Sequence, residues 1–339
     1  MPKAITYIDL FSGIGGFREG LSRAGDFVCV GHCEIDKYAD QSYRALFDTK
    51  GEWFREDVRE ADPDEMPDFD LLCGGFPCQS FSIAGHRGGF ADPRGTLFFE
   101  IARLTAAKRP AYLLLENVPG LLNHDGGRTF AAILHTLDGL GYGVEWQVLN
   151  SKDFGVPQSR KRVYLVGYLD EKCRGKILPF TETAGTPLKQ IRPGAQGERI
   201  YSTEGVSCTL AAQTGGFGGR TGLYCTGVPI SQGALCCVDM NDKPELTDFA
   251  RCLTAKQNGG IRNHKREASG VWDGCRIRRL TPRECLRLQG WMDGRIDLVL
   301  PLQSDAQLYK QAGNGVTVNV VEAIGKRLAA AHREVNAVD

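Results

Sequence analysis

One cysteine stands where a nucleophile would be expected, at the end of an apolar run. Residues 69–75 (FDLLCGG) lead directly through Phe76 and Pro77 into Cys78. A cysteine held by proline at a strand end lies open to a cleft, and its thiolate is nucleophilic when nearby charges stabilise it. The glycine-rich, charged residues 84–95 that follow are typical of a loop that closes over a substrate.

A carboxylate and two arginines follow at later strand ends. Glu116 ends the apolar run 111–117 (AYLLLEN), where burial would raise its pKa and let it donate a proton. Arg160 and Arg162 precede the run 163–168 and lie two residues apart, on one side of an extended chain. Cysteine, acid and arginines together predict a site that attacks an electron-poor ring and stabilises its anion.

A glycine-rich turn after the first apolar run predicts a nucleotide-like ligand. Residues 11–16 (FSGIGG) join a strand to a helix, so glycines would let a ligand approach the backbone near free N–H groups. Glu34, at the end of the second strand, is placed to bind a ribose hydroxyl pair. Asp57 could accept a hydrogen bond from an adenine amino group. The turn lacks the lysine of a triphosphate loop, which argues against ATP.

The elements that must position these residues alternate between strands and helices. This pattern predicts an α/β fold with a doubly wound, mostly parallel sheet, whose ligands bind beyond the carboxyl ends of its strands. Residues 170–275 show short β-like runs and weak helical periodicity, which predicts a second, smaller β-rich domain. Residues 277–292 and 318–334 are predicted to be helical, the first with Thr281 as N-cap and Pro282 at the first helical position. The predicted strands are 5–10, 27–34, 53–57, 69–75, 111–117, 143–150 and 161–168, with helices following 16, at 37–47, at 95–108 and at 128–140.

Composition excludes several classes of protein. The chain has 339 residues, 42% hydrophobic and 24% charged, as in an ordinary globular protein. The sequence contains no run of 18 apolar residues, so no membrane-spanning helix is predicted. No secretory signal is evident either, so we expect a cytoplasmic protein. The chain is long and shows no export signal, which argues that its 12 cysteines are reduced thiols, and the absence of a CxxC pair argues against a metal site.

The zero net charge hides an asymmetry between the halves of the chain. Residues 1–150 hold 14 basic and 22 acidic residues, a net charge of −8, and the remainder carries +8. A basic half attached to an acidic half is typical of a nucleic-acid contact surface on one side. A solvated surface without a nucleic-acid partner is the alternative.

In their linear order these motifs resemble the cytosine-5 DNA methyltransferases over nearly the whole chain. The residues that carry the resemblance are DLFSGIGGF (9–17), GGFPCQSFS (74–82), ENV (116–118), QSRKR (158–162), RRLTPRECLRLQGW (278–291) and QAGNGV (311–316). The segment GAQGERIYSTEG (194–205) further resembles the bacterial restriction–modification enzymes that methylate GCGC. About fifty residues, roughly 225–275, separate this segment from Arg278, and the corresponding stretch is much shorter in those enzymes. This difference leaves the target sequence open.

The resemblance implies a Rossmann-like methyltransferase that uses S-adenosyl-L-methionine and releases S-adenosyl-L-homocysteine. It implies a catalytic and cofactor-binding domain over 1–180, a target-recognition domain over 181–290, and a C-terminal segment over 291–339 that returns to the catalytic domain. The implied catalytic residues are Cys78 as the nucleophile, Glu116 at cytosine N3, Arg162 at O2, and Arg160 as a residue that orders the loop.

Further residues are implied for the two ligands. The cofactor residues are Phe11, Gly13, Gly15, Gly16, Glu34, Ile35, Asp57, Val58, Leu97 and Asn314. The DNA-binding residues are Gln79, Ser82, Gln196, Arg199, Thr209 and Leu210. Ile35, Val58 and Leu97 could instead be core residues, and Arg199 could contact phosphate rather than a base.

The resemblance implies double-stranded DNA as partner and base flipping as a step. We expect a monomer that acts in a restriction–modification system or prophage, with a cognate endonuclease that would act separately. Three alternatives remain open: a transfer RNA cytosine-5 methyltransferase of the same fold, a catalytically inactive DNA-binding homologue, and an NAD-dependent dehydrogenase.

Overall fold

A seven-stranded mixed sheet forms the centre of the protein. The computed structural model describes residues 4–76, 97–180 and 281–337, together with the backbone of eight short strands between residues 190 and 278. The strands are β1 (Ile5–Leu10), β2 (Phe27–Cys33), β3 (Trp53–Arg55), β4 (Leu71–Gly75), β5 (Tyr112–Asn117), β6 (Gly143–Asn150), the two-residue β7 (Gln158–Ser159) outside this sheet, and β8 (Lys161–Tyr168).

Strand order in the sheet is β3-β2-β1-β4-β5-β8-β6. Neighbouring strands are parallel from β3 to β5, whereas β8 is antiparallel to both β5 and β6. The predicted α/β class and mostly parallel sheet are therefore confirmed. Because β8 runs backwards, its first residues lie at the edge where the parallel strands end, which brings QSRKR to the end of β5.

Helices cover both faces of the sheet. The strand β5 requires this, because its successive apolar residues point to opposite faces and both faces must be buried. Leu113 and Leu115 face one cluster of buried residues, while Tyr112 and Leu114 face another. The helices are α1 (Gly16–Ala24), α2 (Lys37–Leu46), α3 (Leu97–Lys108), α4 (Arg128–Gly139), α5 (Pro282–Leu288), α6 (Asp293–Val299), α7 (Asp305–Asn314) and α8 (Val318–Asn336).

The two faces differ in which helices cover them. The first cluster includes residues of α3 and α4, such as Ile101 and Ile133. The second includes residues of α1 and α8, such as Leu21 and Ile324. A third cluster joins α2 to α5, α6 and α7. The C-terminal residues therefore pack against the N-terminal half of the sheet.

The predicted helix at 277–292 is too long, but its predicted N-cap Thr281 and first residue Pro282 are confirmed. Residues Arg276–Arg278 form a strand, and α5 begins only at Pro282. Thr281 and Glu284 make a reciprocal capping box there, which fixes the helix start by satisfying orphan backbone donors. Helices α6 and α7 were not predicted, because they are short or weakly periodic.

Short strands occupy the region between β8 and α5. Four of them form one sheet and three another, while Ser207–Cys208 pairs in parallel with β7. This pairing places the backbone of residues 207–208 beside the QSRKR motif. In order they are β9 (Gln190–Arg192), β10 (Ile200–Tyr201), β11 (Ser207–Cys208), β12 (Leu223–Thr226), β13 (Cys237–Asp239), β14 (Glu245–Thr247), β15 (Ser269–Val271) and β16 (Arg276–Arg278).

Candidate active site

Glu116 and Arg162 form an ion pair at the carboxyl edge of the sheet. Arg162 Nε lies 2.9 Å from Glu116 Oε1, because β8 is antiparallel to β5 and places Tyr164 opposite Glu116. Glu116 is only 8% exposed. Burial raises the pKa of this carboxyl, while the charges of Arg162 and Arg160 act in the opposite direction. The group can therefore hold a proton that an exposed glutamate would lose.

A glycine on the neighbouring strand leaves room for this carboxylate. A Cβ added to Gly75 would lie 3.1 Å from Glu116 Oε2. That is tighter than ordinary van der Waals contact, so a side chain at position 75 would push against the acid. The pair of glycines that ends β4 thus has a packing reason directly beside the predicted catalytic group.

Arg160 and Arg162 have different surroundings. Arg160 is 2% exposed, and its guanidinium donates hydrogen bonds to the carbonyls of Gly313 and Gly315 at 3.0 and 2.8 Å. Burial and the charge of Arg162 lower the pKa of Arg160 to about 9, with Glu116 acting against them. Arg160 therefore fastens the C-terminal turn, whereas Arg162 meets the acid.

Asn117 anchors the chain that leads to Cys78. Its side-chain amide donates to the carbonyl of Phe76 at 2.8 Å, and its side-chain oxygen accepts from the N–H of Val118 at 2.8 Å. Asn117 is buried, so this bond is protected from water. Asn117 stands beside Glu116 in the ENV motif, but no anchoring role was predicted for it.

The segment that begins at Pro77 lies outside the described residues. Cys78, Gln79 and Ser82 belong to it, so their predicted roles remain predictions. The same holds for the predicted DNA-binding residues Gln196, Arg199, Thr209 and Leu210.

The glycine turn after β1 combines left-handed backbone with close packing. Phe11, Gly13 and Gly15 have φ angles of 53°, 57° and 89°. A Cβ on Gly15 would collide with the Phe47 ring, and one on Gly16 would lie 2.8 Å from Val316 Cγ2. Two of the glycines are thus required by packing against neighbouring elements, a reason that the sequence analysis did not foresee.

Gly13 and Glu34 shape an open cradle at this turn. Nothing lies within 4 Å of a Cβ built on Gly13. Its N–H donates to Glu34 Oε2 at 2.6 Å, and the N–H of Asp36 donates to Glu34 Oε1 at 2.8 Å. Burial raises the pKa of Glu34, and these two bonds act against it. Ile35, between the two acids, is 61% exposed.

This cradle fits an adenosine-containing cofactor. It offers a carboxylate at a strand end, an exposed apolar side chain and open space against a glycine, which are the parts that a ribose and an adenine face require. The exposure of Ile35 removes the alternative that it is a core residue.

The remaining predicted cofactor residues lie in three places. Asp57 caps the short 3₁₀ helix Val58–Glu60 and pairs with Arg59, whose hydrogen bonds lower the pKa of Asp57. Val58 is 4% exposed and lies in the core, and Leu97 packs against the same cluster. Asn314 is exposed and ends α7, between the two carbonyls that Arg160 holds.

The chain matches the family of C-5 cytosine-specific DNA methylases over residues 5–215 and 218–330. It is 33% identical to Type II methyltransferase M.HhaI of Haemophilus parahaemolyticus, over 94% of this chain and 93% of the relative. It is 40% identical to Type II methyltransferase M.NgoBI of Neisseria gonorrhoeae, over 94% of this chain and 91% of the relative.

Solved structures share the fold at lower identity. The S. pombe Dnmt2 methyltransferase has a TM-score of 0.66 at 18% identity and covers 98% of this chain and 99% of its own. The Entamoeba histolytica methyltransferase EhMeth has a TM-score of 0.65 at 18% identity, with 99% of each chain covered.

The chain thus belongs to the C-5 cytosine-specific DNA methylase family. Its activity is that of a DNA (cytosine-5-)-methyltransferase, as its motifs predicted. No helix among the described residues is long and apolar enough to cross a membrane.

Proposed function

We propose that this protein methylates C5 of a cytosine in double-stranded DNA, with Cys78 as the nucleophile and Glu116 as the acid. The observation that carries the proposal is the buried Glu116–Arg162 pair, which lies beside an Asn117 that anchors the chain two residues before Cys78. S-adenosyl-L-methionine, when bound, supplies an electrophilic methyl group on a sulfonium and leaves as a neutral thioether.

The residues of the chain make C5 nucleophilic. The Cys78 thiolate forms a bond to C6 of the cytosine, and the electron pair of the C5–C6 double bond is directed towards C5 as N3 takes the Glu116 proton. After C5 receives the methyl group, a base removes the C5 proton. The electron pair of the C5–H bond re-forms the C5–C6 double bond as the C6–sulfur bond breaks, and N3 returns its proton to Glu116, which restores both the thiolate and the acid.

Arg162 holds the other side of the same ring. Its guanidinium is fixed by Glu116 at 2.9 Å, so remaining N–H groups can donate to the O2 oxygen of the cytosine. Arg160 is buried, and its Nη2 group donates to two backbone carbonyls of the C-terminal turn. We therefore assign Arg160 to ordering the site.

The target cytosine must leave the base stack to reach this site. Cys78 and Glu116 act on atoms of a base that lie inside a duplex, so we infer that the base is flipped, at a cost of a few kcal/mol. Gln79 and Ser82 would contact the DNA backbone next to it.

Cofactor binding falls to the turn after β1 and to the ends of three further elements. Glu34 would bind the ribose, Ile35 and Leu97 the adenine face, and Asp57 the adenine edge. Gly13 and Asn314 would border the methionine part. The buried side chain of Val58 leaves its backbone as the group that can meet the ligand.

Target recognition falls to residues 181–290, between a catalytic domain over 1–180 and a C-terminal segment over 291–339. Gln196, Arg199, Thr209 and Leu210 would read the site, which we infer to contain GC. We further propose that the protein acts as a cytoplasmic monomer in a restriction–modification system or a prophage, alongside a separate endonuclease.

The decisive experiment combines a methylation assay with a covalent trap. Purified protein, duplex DNA and labelled methyl donor should give 5-methylcytosine, mapped by bisulfite sequencing. Cys78→Ser should abolish transfer while the cofactor still binds, because a hydroxyl is far less ionised than a thiol at neutral pH.

A duplex with 5-fluorocytosine at the mapped site should trap the wild-type enzyme, since fluorine does not leave as a proton does. Absence of the adduct on a denaturing gel would contradict attack at C6. Methylation of transfer RNA in preference to duplex DNA would contradict the DNA substrate, and cofactor binding without any transfer would indicate an inactive homologue.

A further inference from the structure

A chain of buried hydrogen bonds joins the arginine motif to the turn that carries Asn314. Ser151 Oγ lies 2.7 Å from Thr317 Oγ1, which lies 2.9 Å from Gln289 Oε1. Gln289 Nε2 donates to the carbonyl of Ala312 at 2.6 Å. At the other end, the backbone N–H of Ser151 donates to the carbonyl of Arg160 at 3.0 Å.

The number of protons fixes the direction of this relay. The amide of Gln289 must present its nitrogen to the Ala312 carbonyl, so its oxygen can only accept, and Thr317 must be the donor. Thr317 has then used its one hydroxyl proton. The 2.7 Å contact with Ser151 therefore has Ser151 as donor.

The second possible contact of the Ser151 hydroxyl is weaker. Its oxygen lies 3.2 Å from the Arg160 carbonyl but 2.7 Å from Thr317 Oγ1, whose own proton is donated to Gln289. The hydroxyl proton thus belongs to the shorter contact with Thr317. The relay has a single direction, from Ser151 through Thr317 and Gln289 to Ala312.

These residues enclose the Asn314 turn from both sides. Gln289 holds Ala312, while the Arg160 guanidinium holds Gly313 and Gly315. The backbone carbonyl of Gln289 also accepts the N–H of Val318 at 2.9 Å. Asn314 itself is exposed, so its backbone is fixed while its side chain stays available to a ligand.

Burial makes each bond of the relay costly to lose. Ser151, Gln289 and Thr317 are all buried, and a buried polar group without a partner costs more than the net gain of its bond. The arrangement connects three parts of the chain that are distant in sequence: the end of β6, the end of α5 and the start of α8.

We propose that Ser151, Thr317 and Gln289 are positioning residues that hold the Asn314 turn in register with the Glu116–Arg162 pair. This inference rests on the proposed function, in which Asn314 borders the methyl donor and Glu116 meets the cytosine. Through Arg160, the relay sets the position of one ligand relative to the other. Its loss would weaken cofactor binding and slow methyl transfer while the sheet stays folded.

Matched substitutions separate the hydroxyl from the packing of Thr317. Thr317→Val keeps the shape and removes the proton, whereas Thr317→Ser keeps the hydroxyl. Thr105→Val is the control: Thr105 is equally buried, but its hydroxyl makes no hydrogen bond within the described part of the chain. Ser151→Ala interrupts the relay one step earlier and serves if Thr317→Val does not fold.

The measurements are the Kd of S-adenosyl-L-homocysteine by calorimetry, and kcat on duplex DNA, below the melting temperature of every variant. Thr317→Val and Ser151→Ala should each raise Kd about fivefold to tenfold and lower kcat, while Thr317→Ser and Thr105→Val stay within about twofold of wild type. The double variant Thr317→Val/Ser151→Ala should be no more impaired than the more impaired of the two single variants, because the same relay is broken in all three.

Three outcomes would overturn the inference. Thr317→Val and Ser151→Ala could match wild type in Kd and kcat, Thr317→Ser could be as impaired as Thr317→Val, or the two losses could simply add. Each of these leaves a wild-type enzyme that binds and methylates, so the proposed function survives. A wild-type protein that neither binds S-adenosyl-L-homocysteine nor methylates DNA would overturn both.

Discussion

Glu116 on β5 lies within 2.9 Å of Arg162 on the antiparallel strand β8. Burial raises the pKa of this carboxyl even though two guanidinium groups oppose the shift. The arrangement gives an acid whose pKa is raised by burial and a neighbour that fixes its orientation, both of which favour protonation of a ring nitrogen.

Replacing Glu116 by glutamine should remove the proton and keep the shape. We expect Glu116→Gln to lower kcat about 10²-fold or more, as loss of a general acid does, with little change in the Kd of S-adenosyl-L-homocysteine. Glu100→Gln, which breaks a surface pair with Arg103, is the matched control and should leave both values unchanged. A Glu116→Gln enzyme with wild-type kcat would remove Glu116 from the chemistry.

The raised pKa of Glu116 also predicts how stability depends on pH. Because the folded protein binds this proton more tightly than the unfolded chain, the contribution to the free energy of unfolding is present below the ordinary pKa of 4.5 and is lost as pH rises through the raised value. The Tm of wild type minus that of Glu116→Gln should therefore fall as pH rises above about 4.5.

Thermal melts from pH 4.5 to 8.0 of wild type, Glu116→Gln and Glu100→Gln would measure this difference. The Glu100→Gln comparison should show no such trend, since that pair is partly solvated. A difference for Glu116→Gln that grows with pH would mean that Arg162 and Arg160 keep the carboxylate ionised.

Gly16 should tolerate no side chain, because it packs against Val316. A Cβ would lie 2.8 Å from Val316 Cγ2 and 3.1 Å from the Val316 carbonyl. We expect Gly16→Ala to lower the free energy of unfolding by about 1–3 kcal/mol, as overpacking does, and to weaken cofactor binding by displacing the turn next to Asn314.

Two variants test the cause. Gly139→Ala places the same methyl group in open space at the end of α4 and should not destabilise. Val316→Ala combined with Gly16→Ala should recover part of the lost stability, because it removes the atom that collides. Denaturant unfolding would measure the free energy of unfolding of wild type, Gly16→Ala, Gly139→Ala and the double variant. A double variant no more stable than Gly16→Ala would show that the loss comes from the contact with the Val316 carbonyl or from the helix start.

Much of this fold was predictable from the sequence, for reasons visible in particular elements. The strands β1, β5 and β8 are short apolar runs bounded by turn residues, so their period and length identify them. The start of α5 was accessible too, because Thr281 followed by Pro282 is typical of a helix start. The strand Arg276–Arg278 before it was not, because three residues are too few to show a period.

The candidate site divides in the same way. Glu116, Arg160 and Arg162 could be chosen from the sequence because charged residues at the ends of apolar runs are conspicuous. The relay of Ser151, Thr317 and Gln289 could not, because three uncharged residues far apart in the chain show no common pattern until the sheet and α8 bring them together.

Asn117 should matter through the backbone that it anchors. Asn117→Asp replaces the amide donor by a second acceptor, so the bond to the Phe76 carbonyl at 2.8 Å is lost. We expect kcat to fall about tenfold or more, since a small misplacement of the nucleophile is costly, with the Kd of S-adenosyl-L-homocysteine nearly unchanged. Adduct formation with 5-fluorocytosine DNA should slow by the same factor.

Asn123→Asp is the control for the added charge, because Asn123 makes no side-chain hydrogen bond within the described residues. An Asn117→Asp enzyme with normal adduct formation would show that residues 77 and 78 find their place without this anchor.

Arg199 offers a test that distinguishes base recognition from contact with the DNA backbone. An arginine can donate to both acceptors of a guanine edge in the major groove, and removing such a contact costs about 1–3 kcal/mol of discrimination. If Arg199 reads a base of a GC-containing site, Arg199→Ala should relax the choice at one position and leave the others strict. A phosphate contact would instead slow all sequences alike.

The measurement is methylation of a duplex library with randomised positions, with wild type and Arg199→Ala compared by bisulfite sequencing. Arg174→Ala is the control, since Arg174 is exposed and its side chain interacts with Glu171 and Tyr168 in the described structure. An unchanged sequence preference with uniformly slower methylation would show that Arg199 positions the DNA. A wild-type preference with no guanine beside the methylated cytosine would contradict the GC-containing target itself, because the segment 194–205 is the basis for it.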